Sequence, residues 1–298
     1  MIVILGPTAC GKTALAVHLA EAVKGEIISA DSRQVYRGMD IGTGKDLNEY
    51  SLNGKDIPYH LIDICNPGEE YNVFRFQKDF LSAYQTILNQ AKIPILCGGT
   101  GFYIESVLKG YELVEVPVDN ELRNELSTKS NEELIEMLSS HRKLHNITDT
   151  EDRNRLIRAI EIETHKALSK KTSLSGINGM IFGLKYEREV VRQRITERLK
   201  QRLDNGMIEE VQSLLNKGVA EERLLTYGLE YKYVTLYLCN QLSYDEMFRL
   251  LNIAIHQFAK RQMTWFRKME RSGIPIRWID GELSMEEKIE TIYKVISI

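Results

Sequence analysis

Apolar and polar residues alternate in blocks through the first third of the chain. Ile2–Leu5 is a short apolar run, followed by a glycine-bounded turn. Thr13–Val23 then carries apolar residues at helical spacing, so a strand leading into a helix is predicted. Short apolar runs return at Glu26–Ala30, Tyr59–Ile64 and Ile93–Cys97, with a helical pattern over Phe74–Gln90 between the last two. Short buried strands alternating with helices predict an α/β fold with a mostly parallel sheet and helices on both faces.

The pattern changes after Gly110. No glycine occurs between Gly110 and Gly176. Asp119–Leu126, Asn131–Ser139 and Glu151–Leu168 read as helices, and Lys170–Gly176 as a polar loop. Residues 116–175 are therefore expected to form a small all-helical insertion in a core made of residues 1–115 and 176–298. Ile181–Tyr186 reads as a strand returning to the sheet. Helices are expected at Glu187–Asn205, Ile208–Asn216, Tyr231–Leu238 and Tyr244–Arg271, with a last strand at Ile274–Ile279.

Composition removes several classes. The chain has 298 residues, 43% of them hydrophobic and 27% charged, which fits a folded domain rather than a disordered one. The net charge of −3 means that any nucleic-acid binding must come from a local patch. No apolar run approaches the ~20 residues that span a bilayer, and no signal peptide is read at the start. Cys10, Cys65, Cys97 and Cys239 form no C-x-x-C pair, so free thiols in a reducing cytoplasm are expected, not a zinc site or a disulfide framework. A monomer is the default expectation.

Gly6-Pro7-Thr8-Ala9-Cys10-Gly11-Lys12-Thr13 fits the phosphate-loop pattern G-x-x-x-x-G-K-[ST], with a strand before it and a helix after it. Glycines let consecutive amides point at a phosphate, and the helix N-terminus adds partial positive charge. Lys12 supplies a full charge, and the Thr13 hydroxyl is placed to ligate Mg²⁺. The expected fold is thus P-loop NTPase-like and doubly wound. Cys10 in the loop is read as occupying a position that faces away and accepts small residues, rather than as a nucleophile.

Asp31 follows the second apolar run and would face the same crevice, since ligands sit at the carboxyl ends of parallel strands. It reads as a base, a magnesium ligand or a turn cap. Arg33 and Gln34 beside it favour a ligand-facing role. Asp63, ending His60-Leu61-Ile62-Asp63, reads equally as a magnesium-holding carboxylate or a loop cap. Gly98-Gly99-Thr100-Gly101 allows close approach to a ligand, with Thr100 as a hydrogen-bonding group.

These motifs join Ala30–Lys45 (ADSRQVYRGMDIGTGK), Tyr59–Ile64 (YHLIDI), Gly98–Tyr103 (GGTGFY), Arg155–Glu161 (RLIRAIE) and Gln257–Arg267 (QFAKRQMTWFR). Together, in this order, they resemble the tRNA dimethylallyltransferase (tRNA isopentenyltransferase) family. The resemblance implies prenyl transfer from dimethylallyl diphosphate to N6 of the adenosine immediately 3′ of the tRNA anticodon. It implies Asp31 as general base, with Lys12, Thr13, Mg²⁺ and Arg198 acting on the diphosphate held by the Gly6–Thr13 loop. Asp31, Ser32, Arg33, Gln34 and Thr100 would meet the target nucleotide. Arg123 and Asn154, Arg155, Leu156, Ile157 and Arg158 would contact the tRNA. On the tail helix, Lys260 and Arg261 belong to a basic run interleaved with Trp265 and Phe266, suited to phosphates and unstacked bases. Phe258, Thr264 and Trp265 are spaced for a buried stripe on the same helix.

The chain departs from the family in its short insertion, in His256-Gln257 where a threonine–arginine pair is usual, and in Leu225–Glu230 (LTYGLE). Two other enzymes share the phosphate loop: a prenyltransferase acting on free AMP or ADP, and a small-molecule kinase. The tail motif and the Arg153–Arg158 cluster favour tRNA over AMP, and DSRQVYRGMDIGT has no kinase rationale.

Overall fold

A computed structural model describes residues 1–141, 153–166 and 175–296. Six strands form one sheet in the order β5-β2-β6-β1-β7-β8. They are β1 (Ile2–Leu5), β2 (Gly25–Ser29), β5 (Tyr59–His60), β6 (Ile93–Gly98), β7 (Met180–Lys185) and β8 (Arg277–Asp280), and every pairing is parallel. A separate antiparallel hairpin pairs β3 (Ser51–Leu52) with β4 (Lys55–Asp56). All four residues of β1 are buried, which is why its sequence is continuously apolar rather than alternating. Val3 and Leu5 join one hydrophobic cluster, and Ile2 and Ile4 join another. The sheet is thus covered on both faces.

The chain divides into two compact units, Met1–Lys109 with Gly176–Ile298, and Gly110–Ser175. In the second, helices Asn120–Ser127, Asn131–His141 and Arg153–His165 enclose a small core of Leu126, Leu134, Leu138, Leu156 and Ile160. The expected helix ends at Glu151 and Leu168, and most of the Lys170–Gly176 loop, lie outside the described residues.

Two predicted strands are shorter than expected. Tyr59–Ile64 keeps its strand only at Tyr59–His60, because Leu61 and Asp63 adopt left-handed backbone angles (φ 63° and 56°). The Ile274–Ile279 strand begins only at Arg277; Pro275 just before it has no N–H for a ladder bond. The pattern also left three α-helices of the described residues unread, Gly101–Lys109, the short Glu221–Leu224 and Met285–Ile296. The last opens with a reciprocal cap between Ser284 and Glu287.

Candidate active site

Three loops leave the carboxyl ends of neighbouring strands: the phosphate loop after β1, the Asp31 turn after β2, and the glycine turn after β6, which lies between the other two. The Asp31 and glycine turns are tied together. Ala30 N–H donates to Cys97 O at 2.7 Å, and Thr100 N–H to Ala30 O at 3.2 Å. Gly98 must lack a side chain here, since a Cβ would stand 2.3 Å from Ala30 O.

The phosphate loop curls through left-handed angles at Ala9 (φ 61°) and Gly11 (φ 79°) before helix Lys12–Val23 begins. Lys12 folds back, its ammonium donating to Pro7 O at 2.7 Å. Cys10 is buried, and its sulfur would lie 2.8 Å from a Cβ on Gly6. It fills space beneath the loop and has only its backbone to offer a ligand. The Thr8 amide donates to Gln262 Oε1 at 2.8 Å.

Asp31 is half-buried, and its Oδ1 accepts the Arg33 amide at 2.8 Å. The turn-cap reading is therefore realised, while Oδ2 is left for other work. Thr100 Oγ1 accepts the Ser32 amide at 3.2 Å, which fixes Thr100 beside the aspartate. Gln34 stands differently from the expectation that it meets a nucleotide. Its Oε1 accepts from Ser29 Oγ at 3.0 Å and its Nε2 donates to Gly44 O at 3.0 Å, so the amide braces the loop. Asp63 pairs with Lys45, which ties it to the 36–45 loop.

Helix Arg188–Asp204 presents Arg194, Arg198 and Arg202 every four residues, hence on one face. Arg194 Nε donates to Ala9 O at 2.9 Å. Arg198 pairs with Asp46. Arg202 reaches Asp46 at 4.0 Å and Glu230 at 3.6 Å. Gly44, at φ 63°, makes room for this pair: a Cβ there would fall 1.6 Å from the Arg202 guanidinium. Burial pushes the Glu230 carboxyl up, against the pull of Arg202, and lowers the Arg202 guanidinium. A cleft beside the phosphate loop is lined by Thr8, Ala9, Arg198, Arg202 and Glu230, with Ile195, Leu199 and Ile255 as its apolar wall.

On the tail helix Tyr244–Arg271 the buried stripe is Ile255, Ala259, Gln262, Phe266 and Met269. Phe258 and Thr264, expected in that stripe, are exposed. Trp265 is half-buried, edge-on to Phe102 at 5.8 Å and under the Lys268 ammonium at 4.4 Å. Lys260, Arg261, Arg267 and Lys268 are exposed on the same helix, Arg261 lying over the Phe258 ring at 5.9 Å. His256 lies against Arg192 O at 3.3 Å and the Thr196 hydroxyl at 3.4 Å, so this departure joins two helices. Tyr227, in the other departure, is buried against the Tyr36 ring at 4.6 Å.

In the insertion unit the expected RNA contacts separate. Leu156 and Ile157 are buried in its core, so their side chains do not face an RNA. Arg123 and Arg158 both grip the buried Glu161 carboxylate, Arg123 through bonds of 2.9 Å from Nε and Nη2. Burial alone would raise the Glu161 carboxyl; the hydrogen bonds from these arginines and the Asp119 amide outweigh it and hold it down at about 2. Arg153 caps the C-terminal end of helix Asn120–Ser127 through Ser127 O at 2.8 Å and Lys129 O at 2.6 Å. Asn154 and Arg155 are exposed.

A family model described as IPP transferase matches residues 34–269, and one described as isopentenyl transferase matches residues 1–57. The chain is 58% identical over 294 residues to tRNA dimethylallyltransferase 2 of Bacteroides fragilis, covering 98% of this chain and 96% of the relative. It is 56% identical over 298 residues to tRNA dimethylallyltransferase 2 of Phocaeicola vulgatus, covering 99% and 97%. The crystal structure of the full-length tRNA isopentenylpyrophosphate transferase from Bacillus halodurans matches with a TM-score of 0.73 at 32% identity, covering 99% of this chain and 95% of that one.

The chain belongs to the IPP transferase family.

Full-length relatives that are dimethylallyltransferases make the chain a group-transferring enzyme with a P-loop-like fold. Within this IPP transferase, no helix among the described residues is long and apolar enough to cross a membrane. No group of three or more His, Cys, Asp or Glu there could hold a metal. Any Mg²⁺ would therefore have to arrive with the substrate's phosphate oxygens and lean on few protein ligands. Mg²⁺ keeps waters and takes phosphate oxygens with one or two protein ligands, and Thr13, the second residue of helix Lys12–Val23, would be the one to hold it.

The residues that sequence reasoning missed are those that act across large separations. Glu210 accepts the amides of Asp40, Ile41 and Gly42 at 2.7, 2.7 and 3.0 Å and so holds the 36–45 loop. Nothing local in the sequence marks it. Arg202 and Arg194 carried a legible signal in their four-residue spacing from Arg198.

Proposed function

We propose that the chain transfers a dimethylallyl group from dimethylallyl diphosphate to N6 of the adenosine immediately 3′ of the anticodon in tRNA, releasing diphosphate. The observation that carries this reading is the arrangement of Asp31, Thr100 and the phosphate loop on three adjacent parallel strand ends.

N6 of adenine is a weak nucleophile because its lone pair is delocalised into the ring. As N6 attacks the allylic carbon, the C–O bond to the diphosphate breaks and the leaving group keeps the bonding pair. Asp31 accepts the N6 proton; a base so placed contributes about 10²–10⁴-fold. Negative charge growing on the diphosphate meets the loop amides, Lys12 and Arg198. To reach the phosphates Lys12 exchanges its bond to Pro7 O, and Arg198 its pair with Asp46. Mg²⁺, held through Thr13, would add Lewis-acid neutralisation of the same charge. The apolar wall of Ile195, Leu199 and Ile255 suits the prenyl tail.

The exposed Lys260, Arg261, Arg267 and Lys268, with Lys268 over the Trp265 ring and Arg261 over the Phe258 ring, favour an RNA acceptor over a free nucleotide. Reaching N6 requires the base to leave its stack. The enzyme is expected to act as a monomer in the cytoplasm. The deciding experiment offers an anticodon stem-loop and AMP side by side with labelled dimethylallyl diphosphate. Label in the stem-loop supports the reading, and label in AMP alone overturns it.

A further inference from the structure

One phosphate-loop amide is committed to the protein itself. Thr8 N–H donates to Gln262 Oε1 at 2.8 Å, and Gln262 Nε2 donates to Gly99 O at 2.9 Å. Gln262 is 7% exposed, and its two partners are 254 and 163 residues away in the chain. An amide side chain can both accept and donate, and here each end takes a different loop.

The glycine turn is shaped around this contact. A Cβ on Gly99 would stand 2.4 Å from Gln262 Nε2, and one on Gly101 would stand 2.4 Å from Trp265 Cδ1. Two motifs far apart in sequence therefore form one joint. From Gly99 the connection continues through Thr100, whose hydroxyl accepts the Ser32 amide at 3.2 Å, to the neighbouring Asp31. The tail helix thus holds the loop for the leaving group and the turn for the proton acceptor through a single side chain.

We propose that Gln262 is a positioning residue that sets the spacing between the phosphate loop and the Asp31–Thr100 turn. With its amide engaged, Thr8 meets a diphosphate through its hydroxyl. The inference rests on the prenyl-transfer reading above. Its physical basis is that reacting groups displaced by about 1 Å lose on the order of 10²-fold in rate. A defect in spacing lowers kcat while ground-state binding of either substrate persists.

Gln262→Met keeps length and volume but removes both hydrogen bonds. With the full chain, dimethylallyl diphosphate and an anticodon stem-loop, the single-turnover rate constant is expected to fall about 10- to 100-fold. KM for each substrate is expected to stay within about threefold of wild type. The single-turnover rate constant does not depend on the folded fraction, so mere instability would lower the amplitude and not the rate. Gly99→Ala pushes the Gln262 amide aside without changing that residue, and it reads the same contact should Gln262→Met fail to fold. It is expected to give a similar loss, and the double variant to be no slower than Gln262→Met alone, because both act through one contact. An active wild type with an unchanged rate constant in Gln262→Met, or losses that multiply in the double variant, overturns the inference alone. A wild-type chain that transfers no prenyl group overturns the reading beneath it as well.

Discussion

Lys45 pairs with Asp63 from a position where the lysine side chain is wholly buried. The same ammonium donates to Asp40 Oδ1 and to Tyr36 O, each at 2.6 Å, so all three of its donors are satisfied. These contacts close the 36–45 loop, which carries Gly42 and Gly44 against Tyr231 and Arg202. Lys45→Met should cost about 3 kcal/mol, the low end for breaking a buried pair, because Asp40 and Asp63 keep some contact with water. A loss of unfolding free energy in urea of less than a third of that would contradict the assignment.

Asp31→Asn should lower turnover by about 10²–10⁴-fold with little change in tRNA affinity. Asparagine can still accept the Arg33 amide, so the turn survives while the proton acceptor is lost. Steady-state transfer and filter binding, done on the same preparation, separate the two effects. Wild-type-like turnover would remove Asp31 as the base.

Binding of tRNA should weaken steeply with salt even though the chain carries a net charge of −3. Lys260→Ala combined with Arg261→Ala should reduce the slope of log K against log salt by about 1 to 2, since each phosphate contact contributes about 0.7–0.9. An unchanged slope would place the docking surface elsewhere.

Acid should destabilise the insertion unit. The Glu161 carboxyl is held at about 2 in the folded chain, against an ordinary 4.5. Its stabilisation is fully present above about pH 4.5 and is lost as the pH falls towards about 2, on the order of 3 kcal/mol in all. Glu161→Gln should remove this acid-dependent step and lower stability at neutral pH. Circular dichroism followed from pH 6 to pH 2 on both proteins would show it.

Much of the fold was legible because β1, β2 and β6 are short apolar runs followed by turn residues. The phosphate loop was legible because its chemistry is local: two left-handed positions, a lysine and a helix start. Asp31 and Thr100 were found as strand-end residues. What local pattern could not show was partnership. The Arg123 and Arg158 side chains look like phosphate binders until the fold presents them with a buried Glu161. Gln34 looks free to read a base until Ser29 and Gly44 take its amide. Phe258 fits a buried stripe by spacing alone, but the burying face is set by where helix Tyr244–Arg271 meets Gly99 and Gly101. Gln262 lies inside a recognised motif and still has no visible purpose without the third dimension.

The place of β1 in the sheet bears on how the protein is made. Its neighbours begin at Ile93 and Met180, far later in the chain. At 5–20 residues per second, a ribosome needs on the order of ten seconds or more to deliver the second of them. Until then an apolar tetrapeptide, Ile2-Val3-Ile4-Leu5, has an open edge. Nascent chains stalled before Met180 should therefore recruit a chaperone at this segment, and the completed β7 should release it.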